Sequence, residues 1–497
     1  MNLKQSLNIN SNPKVLFIYL QQDYYSISPA TRAHDGAVMT PTVFSDTASI
    51  QNVTCRPLLG LQYLTGSAAS IGVESAILDR RIIEFNEETL AEYVDNSDVM
   101  LVGFYTSFAH TDSNCVFIKK LKTLTNVPII VGGPGYTEGD ILLRSGADLV
   151  CNGEGEDVIK VVIKEFLKGD PDWTTVAGIS YVKEGEIVNK GMSPQISNLD
   201  EVAFPIRNDF DISSYKDYLI PGFRLPYITM FTNRGCPHAC IYCDSPNLWQ
   251  KEVRHRSPDN VLEEIDIAVK RWGVRYIDFV DDVFGINHHW LEEFCSKLAE
   301  RKYDLKYKAL MNPSTFGKKQ EKAFALLAKS GCNVVGMGMQ SADGDMLNFL
   351  DRKSDTPERL INAITHANKN EILTFVSFIV GFPNESDTIP QQIIDLARKA
   401  QPLLIDCYPL VTLKGTKLDD MLESGDAKLP HSFNERKNRA IKIKRSFYSS
   451  PVVFFRLFKW LLLNNRSWLY FMLSRSKFFL DFLSVSKQSA KSSIPGI

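Results

Sequence analysis

TNRGCPHACIYCD, residues 232–244, places cysteines at 236, 240 and 243 directly after the apolar run YITMF of residues 227–231. The run reads as a strand, so the C-x3-C-x2-C spacing falls on the loop that leaves it. Thiolates at such spacing wrap one iron–sulfur cluster, whose usual complement is four ligands. Three protein thiolates leave one iron open to a ligand from outside the chain. Zinc is the rival occupant, but no nearby C-x2-C or H-x3-H arrangement supplies a fourth ligand, and His238 lies between the first two cysteines. Three buried free cysteines are the bland alternative, and the spacing argues against it.

Downstream, apolar runs alternate with helical stretches. RYIDFVDD (275–282), VVGMGMQS (334–341), TFVSFIVGF (374–382) and LLIDCYPLV (403–411) read as strands. SPDNVLEEIDIAVKRWG (257–273) reads as a helix, with Ser257 as N-cap and Pro258 at the first helical position. This repeated β/α unit predicts a barrel or part of one over residues 226–425.

Upstream the same alternation recurs. KVLFIYL (14–20), VESAIL (73–78), DVMLVGF (98–104), VPIIVGG (127–133) and ADLVCNG (147–153) are short and continuously apolar, as strands buried on both faces of a parallel sheet are. Helix-like segments such as RPLLGLQYLTGSAAS (56–70) separate them. The fold class expected is therefore α/β, with a doubly wound Rossmann or flavodoxin-type domain over residues 1–168. Ligands of such sheets bind beyond the carboxyl ends of the strands, where GGPGYT (132–137) and NGEGE (152–156) lie. Glycines there either let the backbone approach a bulky ligand or serve ordinary turns. Residues 169–225 read as a hairpin turning at Glu184-Gly185, followed by a proline-punctuated linker.

Residues 426–497 change character: Arg436, Lys437, Arg439, Lys442, Lys444 and Arg445 form a basic cluster ahead of VVFFRLFKWLLLNNRSWLYFMLSRSKFFLDFL (452–483). Arg456, Lys459 and Arg466 share one helical face. That pattern suits either a helix lying at an anionic membrane surface or a helical cap packed on the protein itself. No stretch is long and apolar enough to span a bilayer, and the first residues do not read as a signal peptide.

The 497 residues, 44% hydrophobic and 23% charged, suit a globular protein of two or three domains. A net charge of −2 argues against broad nucleic-acid binding. Nine cysteines, six of them scattered, do not make a disulfide scaffold and suit a reducing cytoplasm, with peripheral contact at the inner membrane left open by the tail.

The segment around Cys236 resembles the signature of the radical S-adenosylmethionine (SAM) superfamily, with Tyr242 just before the third cysteine. The resemblance implies a [4Fe–4S] cluster on Cys236, Cys240 and Cys243. It implies that SAM fills the open iron position, with Tyr242 near its adenine, and that an electron from the cluster cleaves it to a 5′-deoxyadenosyl radical. The electron would come from an external donor such as flavodoxin or ferredoxin. RHRSPDNVLEEI (254–265), FVDDVFGIN (279–287), GMGMQS (336–341) and SFIVGFPNE (377–385) resemble family landmarks in family order. They nominate Asp282, Gln340, Ser341 and Gly381 as SAM-side residues. The family often has glutamate where this chain has Gln340, and an amide still hydrogen-bonds a ribose hydroxyl.

A doubly wound domain directly upstream resembles the cobalamin-binding radical SAM subfamily. That resemblance places Ser107 of YTSFAHTD, Gly132, Gly133, Pro134, and the stretch Gly153, Glu154, Gly155 near cobalamin. With no D-x-H-x-x-G motif, no histidine is nominated as a lower cobalt ligand. The activity implied is methylation of an unactivated carbon of a small-molecule, lipid or peptide substrate through methylcobalamin, with a non-methylating cyclisation or rearrangement as the alternative. A methylthiotransferase would need a second cluster, for which Cys55, Cys115 and Cys151 are available in number but not in motif. A cobalamin sensor or iron–sulfur carrier would have no use for a SAM-like barrel. Asp281 is nominated for a linking or capping role as readily as for catalysis, Glu154 and Glu156 for capping the helix beginning there, His288 and His289 for a helix start, and Cys332 and Cys407 for the core.

Overall fold

The computed structural model describes residues 13–20, 54–107, 111–207, 212, 215–217 and 226–464. They divide into two compact units, residues 13–20 with 57–212, and residues 54–56 with 215–464. Arg466 and the tail beyond residue 464 lie outside the described residues.

In the first unit the five apolar runs form parallel strands β1 (Val15–Tyr19), β2 (Ser75–Asp79), β3 (Leu101–Tyr105), β4 (Ile129–Gly132) and β5 (Leu149–Cys151), in the order β2-β1-β3-β4-β5. This is the flavodoxin-type order, whose direction reverses between β1 and β3. Alternation along β1 feeds two cores. Leu16 and Ile18 pack with residues of the helices Glu87–Asp95, Thr111–Leu121 and Gly139–Arg144. Val15, Phe17 and Tyr19 pack with those of Leu59–Ser70 and Gly155–Leu167. Burial on both faces is what continuous apolar runs require.

The hairpin expected at Glu184-Gly185, ahead of the linker, extends this sheet. Strand β6 (Ile179–Lys183) pairs antiparallel with β5 and with β7 (Glu186–Asn189). Its two-residue turn is Glu184-Gly185, at φ of 54° and 84°, the left-handed pair that matches strand twist.

In the second unit six parallel strands follow one another in chain order: β8 (Tyr227–Met230), β9 (Tyr276–Phe279), β10 (Lys306–Met311), β11 (Cys332–Gln340), β12 (Leu373–Val380) and β13 (Leu404–Pro409). Five helices alternate with them, Pro258–Trp272, His288–Glu300, Gln320–Lys329, Pro357–Lys369 and Ile389–Ala400. Ser257 caps the first by accepting from Asn260 N at 3.1 Å. Strands β8 and β13 do not pair, so this is a partial (β/α)6 barrel.

The open edge is managed by the helix Phe433–Tyr448, which packs on β13. The Tyr448 hydroxyl accepts from Ile405 N at 3.0 Å and donates to Ile405 O at 2.8 Å, satisfying an edge strand. Two members of the basic cluster are buried in that contact. Lys444 pairs with the buried Asp406 at 3.2 Å, and Arg436 lies against the end of β12. The packed-cap arrangement therefore describes this helix. The next one, Pro451–Asn464, buries Val453 and Leu457 but exposes Val452, Phe455 and Leu462. No helix among the described residues is long and apolar enough to cross a membrane.

Replacing Tyr448 by Phe removes both edge bonds and leaves Ile405 N–H buried without its partner. We expect a loss of roughly 1–3 kcal/mol in urea unfolding, with the cysteine loop unaffected.

Candidate active site

Each unit presents the carboxyl ends of its strands, and the nominated residues gather there. In the barrel unit the cysteine loop leaves β8 through a constrained neck. Gly235 has φ of 101°, and a Cβ there would stand 1.8 Å from Glu252 O. Asn233 and Arg234 pair antiparallel with His255 and Arg254, closing the neck. Asp281, buried at the end of β9, accepts from Thr232 N, Thr232 Oγ1 and Asn233 N at 2.6, 2.8 and 2.9 Å. Burial outweighs those bonds and pushes its carboxyl up to about 7. Asp281 is thus the linker between strand end and loop, the role the sequence offered as readily as catalysis.

Within the loop Ile241 is the anchor. Its N–H donates to Leu350 O at 3.4 Å and its carbonyl accepts from Leu418 N at 2.8 Å. Its side chain packs with Met346, Leu350, Phe382, Leu410 and Leu418. Cys240 is 7% exposed, and Cys236 and Cys243 are half-buried. Burial pushes the Cys236 thiol up to about 11 and Cys243 up to about 12, with the nearby Asp282 carboxylate adding to both. A metal held by these thiols would have to displace their protons. Among the described residues no three His, Cys, Asp or Glu side chains converge as ligands of a single ion do. A four-iron cluster instead binds its thiolates through separate irons.

Arg352, not nominated from the sequence, organises this mouth. It is 5% exposed. Its Nη1 donates to Cys240 Sγ at 3.5 Å and Tyr242 OH at 3.4 Å. Its Nη2 donates to Gly338 O and Asp355 Oδ2, each at 2.6 Å, and to Asn312 Oδ1 at 3.2 Å. A lone arginine in LDRKSD (350–355) carries no local signal.

The other nominees are placed as follows. The Tyr242 ring meets Phe382 at a centroid distance of 5.4 Å. Asp282 is exposed, accepts from Ser245 Oγ at 2.9 Å, and has its carboxyl raised by the protein packed around it. Gln340 takes φ of 69° at a bulge ending β11, and its amide lies over Gly338. Ser341 is buried, and its hydroxyl accepts from Asp343 N within the next turn. Gly381, at φ of 95°, is covered by the stem of Arg436, whose Cδ would stand 2.2 Å from a Cβ there. His288 and His289 start a helix capped by Asn287, and Cys332 and Cys407 are core residues.

In the first unit Gly132 ends β4, and Ser107, Gly133, Pro134, Gly153 and Glu154 follow the carboxyl ends of β3, β4 and β5. Gly133, at φ of 117°, would bring a Cβ within 2.5 Å of Thr106 O, and Gly153, at 106°, within 2.6 Å of Ser193 Oγ. These glycines let the loops close on one another. Glu154 does not cap the following helix with its side chain; it accepts from Ile196 N at 2.7 Å, while Glu156 stands in the first turn. Along this edge Asn114 Oδ1, Thr137 Oγ1 and Ser193 Oγ are buried without hydrogen-bond partners, an uncommon state for polar atoms. Such orphans fit a ligand rich in amides, as cobalamin is. Cys115 and Cys151 pack into opposite faces of the sheet, so they do not meet as ligands of a second cluster.

Residues 230–397 match the radical SAM superfamily. An uncharacterized methyltransferase of Pyrococcus horikoshii is 28% identical over 80% of this chain and 89% of its own length. The anaerobic magnesium-protoporphyrin IX monomethyl ester cyclase of Rubrivivax gelatinosus is 29% identical over 51% of this chain and 45% of its own. Among solved structures, the radical SAM methyltransferase TsrM of Kitasatospora setae, with cobalamin and a [4Fe–4S] cluster bound, superposes with a TM-score of 0.64. It is 17% identical, over 83% of this chain and 78% of that one, a likeness of fold.

Gly235→Ala should displace the loop: iron per chain after anaerobic reconstitution falls severalfold, while the far-ultraviolet circular dichroism is kept. Arg352→Met leaves Asp355 buried without its partner, a cost of about 3–5 kcal/mol in denaturant unfolding.

Proposed function

We propose that this chain, a radical SAM enzyme whose SAM domain spans residues 230–397, is a cobalamin-dependent methyltransferase acting on an unactivated carbon of a small molecule. The observation that carries the reading is the C-x3-C-x2-C loop held at the barrel mouth with the Arg352 guanidinium against Cys240. The flavodoxin-type unit with its orphaned polar edge, and the methyltransferase names among the relatives, support the second cofactor and the reaction.

Cys236, Cys240 and Cys243 would hold the cluster, which when bound supplies one electron to SAM, while cobalamin carries a methyl group. Arg352 places fixed positive charge beside the loop, complementing the carboxylate that SAM brings. Tyr242 and Phe382 form an aromatic wall suited to a purine. Gln340, at its bulge, offers an amide to a ribose hydroxyl, and Asp282 faces the opening. Ser107, Gly132, Gly133, Pro134, Gly153 and Glu154 line the edge we assign to cobalamin. An external flavodoxin or ferredoxin would supply the electron. The cyclase among the relatives favours a second reading in which the same machinery closes a ring without methyl transfer.

Val452, Phe455 and Leu462, exposed beside Lys459, form the face by which the chain would touch an anionic membrane surface. We expect sedimentation with anionic but not neutral vesicles, lost in Phe455→Glu; equal recovery with both vesicles would refute the contact.

Anaerobic reconstitution with iron, sulfide and hydroxocobalamin, followed by desalting, tests the main assignment. Cobalamin retained near stoichiometry is expected, together with an iron–sulfur absorption band that disappears when all three cysteines are changed to Ala. A cluster without retained cobalamin would refute the cobalamin-dependent reaction.

A further inference from the structure

The helix Phe433–Tyr448 buries one face, Arg436, Ala440, Ile443, Lys444, Phe447 and Tyr448, against the barrel. Its two buried cations are treated differently. Lys444 has Asp406 at 3.2 Å. Arg436 is 7% exposed, yet its Nε and Nη1 are buried without any hydrogen-bond partner.

The neighbouring acids turn to a different arginine. Glu385 Oε2 accepts from Gly381 N and Phe382 N, its Oε1 has no hydrogen bond and only the Arg439 guanidinium at 3.6 Å, and Asp387 takes Arg439 at 3.0 Å. The aromatic ring of Phe433 lies 5.6 Å from the Arg436 guanidinium carbon and offers no anion. Burial depresses the pKa of this arginine, but a guanidinium stays charged in any ordinary buffer. A guanidinium with Nε and Nη1 out of water and unpartnered is costly, and the cost persists unless an anion meets it.

Its position is specific. The stem crosses Gly381 where any side chain would collide with it, and the next residue, Phe382, forms the aromatic wall with Tyr242. The guanidinium therefore stands at the carboxyl end of β12, on the side of the barrel where the cysteine loop lies. Arg352 already supplies a cation beside that loop. Arg436 is a second one, and its planar fork suits a two-oxygen anion.

We infer that Arg436 recognises a carboxylate or phosphate group of the acceptor substrate, which makes that substrate an anion; this rests on the methyltransferase reading for what the substrate is. The Gly381 position serves the same end, since only a glycine lets the arginine stem pass.

The test uses the full chain reconstituted with iron and sulfide and saturated with SAM, with and without hydroxocobalamin. Thermal unfolding is followed as sodium acetate or sodium phosphate replaces sodium chloride at constant ionic strength. An oxyanion-specific rise in Tm is expected in the wild type and not in Arg436→Met, whose unliganded Tm is expected at or above that of the wild type. SAM affinity should stay within about twofold. Equal Tm in all three salts, or the same oxyanion response in the variant, would overturn the assignment. A tenfold or greater loss of SAM affinity would give Arg436 to SAM, and a response abolished by bound cobalamin would give it to the cobalamin phosphate; either overturns the proposal. Should the Met variant not fold, Arg436→Lys decides: a weakened oxyanion response supports the fork, and an unchanged one refutes it. Failure to retain cobalamin with the response intact sinks the methyltransferase reading alone.

Discussion

A charge that the barrel mouth has buried holds the mouth in shape. Arg352 gives up water for one carboxylate, two carbonyl-type oxygens, a phenol and a thiol. Both Nη atoms of this buried ion are fully used and only Nε is left unpartnered, so its neighbours are not free to drift. Because those neighbours come from the cysteine loop, the end of β10, the bulge of β11 and the segment after the short helix Gly344–Phe349, one side chain sets their mutual spacing. The hydrophobic contacts around Ile241 bring the loop inward, and Arg352 fixes how far it goes.

The architecture was legible because β1 to β5 and β8 to β13 are parallel strands. Strands buried on two faces must be apolar throughout, and VLFIY of β1 or YITM of β8 can hardly be read otherwise. The cysteine spacing was legible because all three thiols lie on one short loop. What escaped was whatever depends on distant segments meeting. Arg352 reaches Cys240 across 112 residues. Glu154 sits where a helix cap belongs, yet its carboxylate goes to Ile196. Asp281 and Asp282 are adjacent in sequence and divide in role, one tied into the loop neck and the other facing the opening. No local pattern separates them; the strand end that turns one inward does.

The glycine-rich loops of the first unit show a related ambiguity. Gly133 and Gly153 have positive φ and neighbours closer than a Cβ allows, so protein packing alone accounts for them. The pointer to a ligand comes from the polar atoms beside them, Asn114 Oδ1, Thr137 Oγ1 and Ser193 Oγ, which the chain does not satisfy for itself. Glycine explains how the loops converge, and the orphaned oxygens suggest why.

The in-line order of β8 to β13 carries a consequence for biosynthesis. Each strand pairs with its successor, so the unit can grow from its amino-terminal side as it leaves the ribosome. The cysteine loop emerges with the first of these strands, whereas Leu350, Arg352 and Leu418, which hold it, are translated much later. Until then the three thiols sit on an unsupported nascent segment. The loop therefore gains its packing and its buried guanidinium only once the later strands have been made.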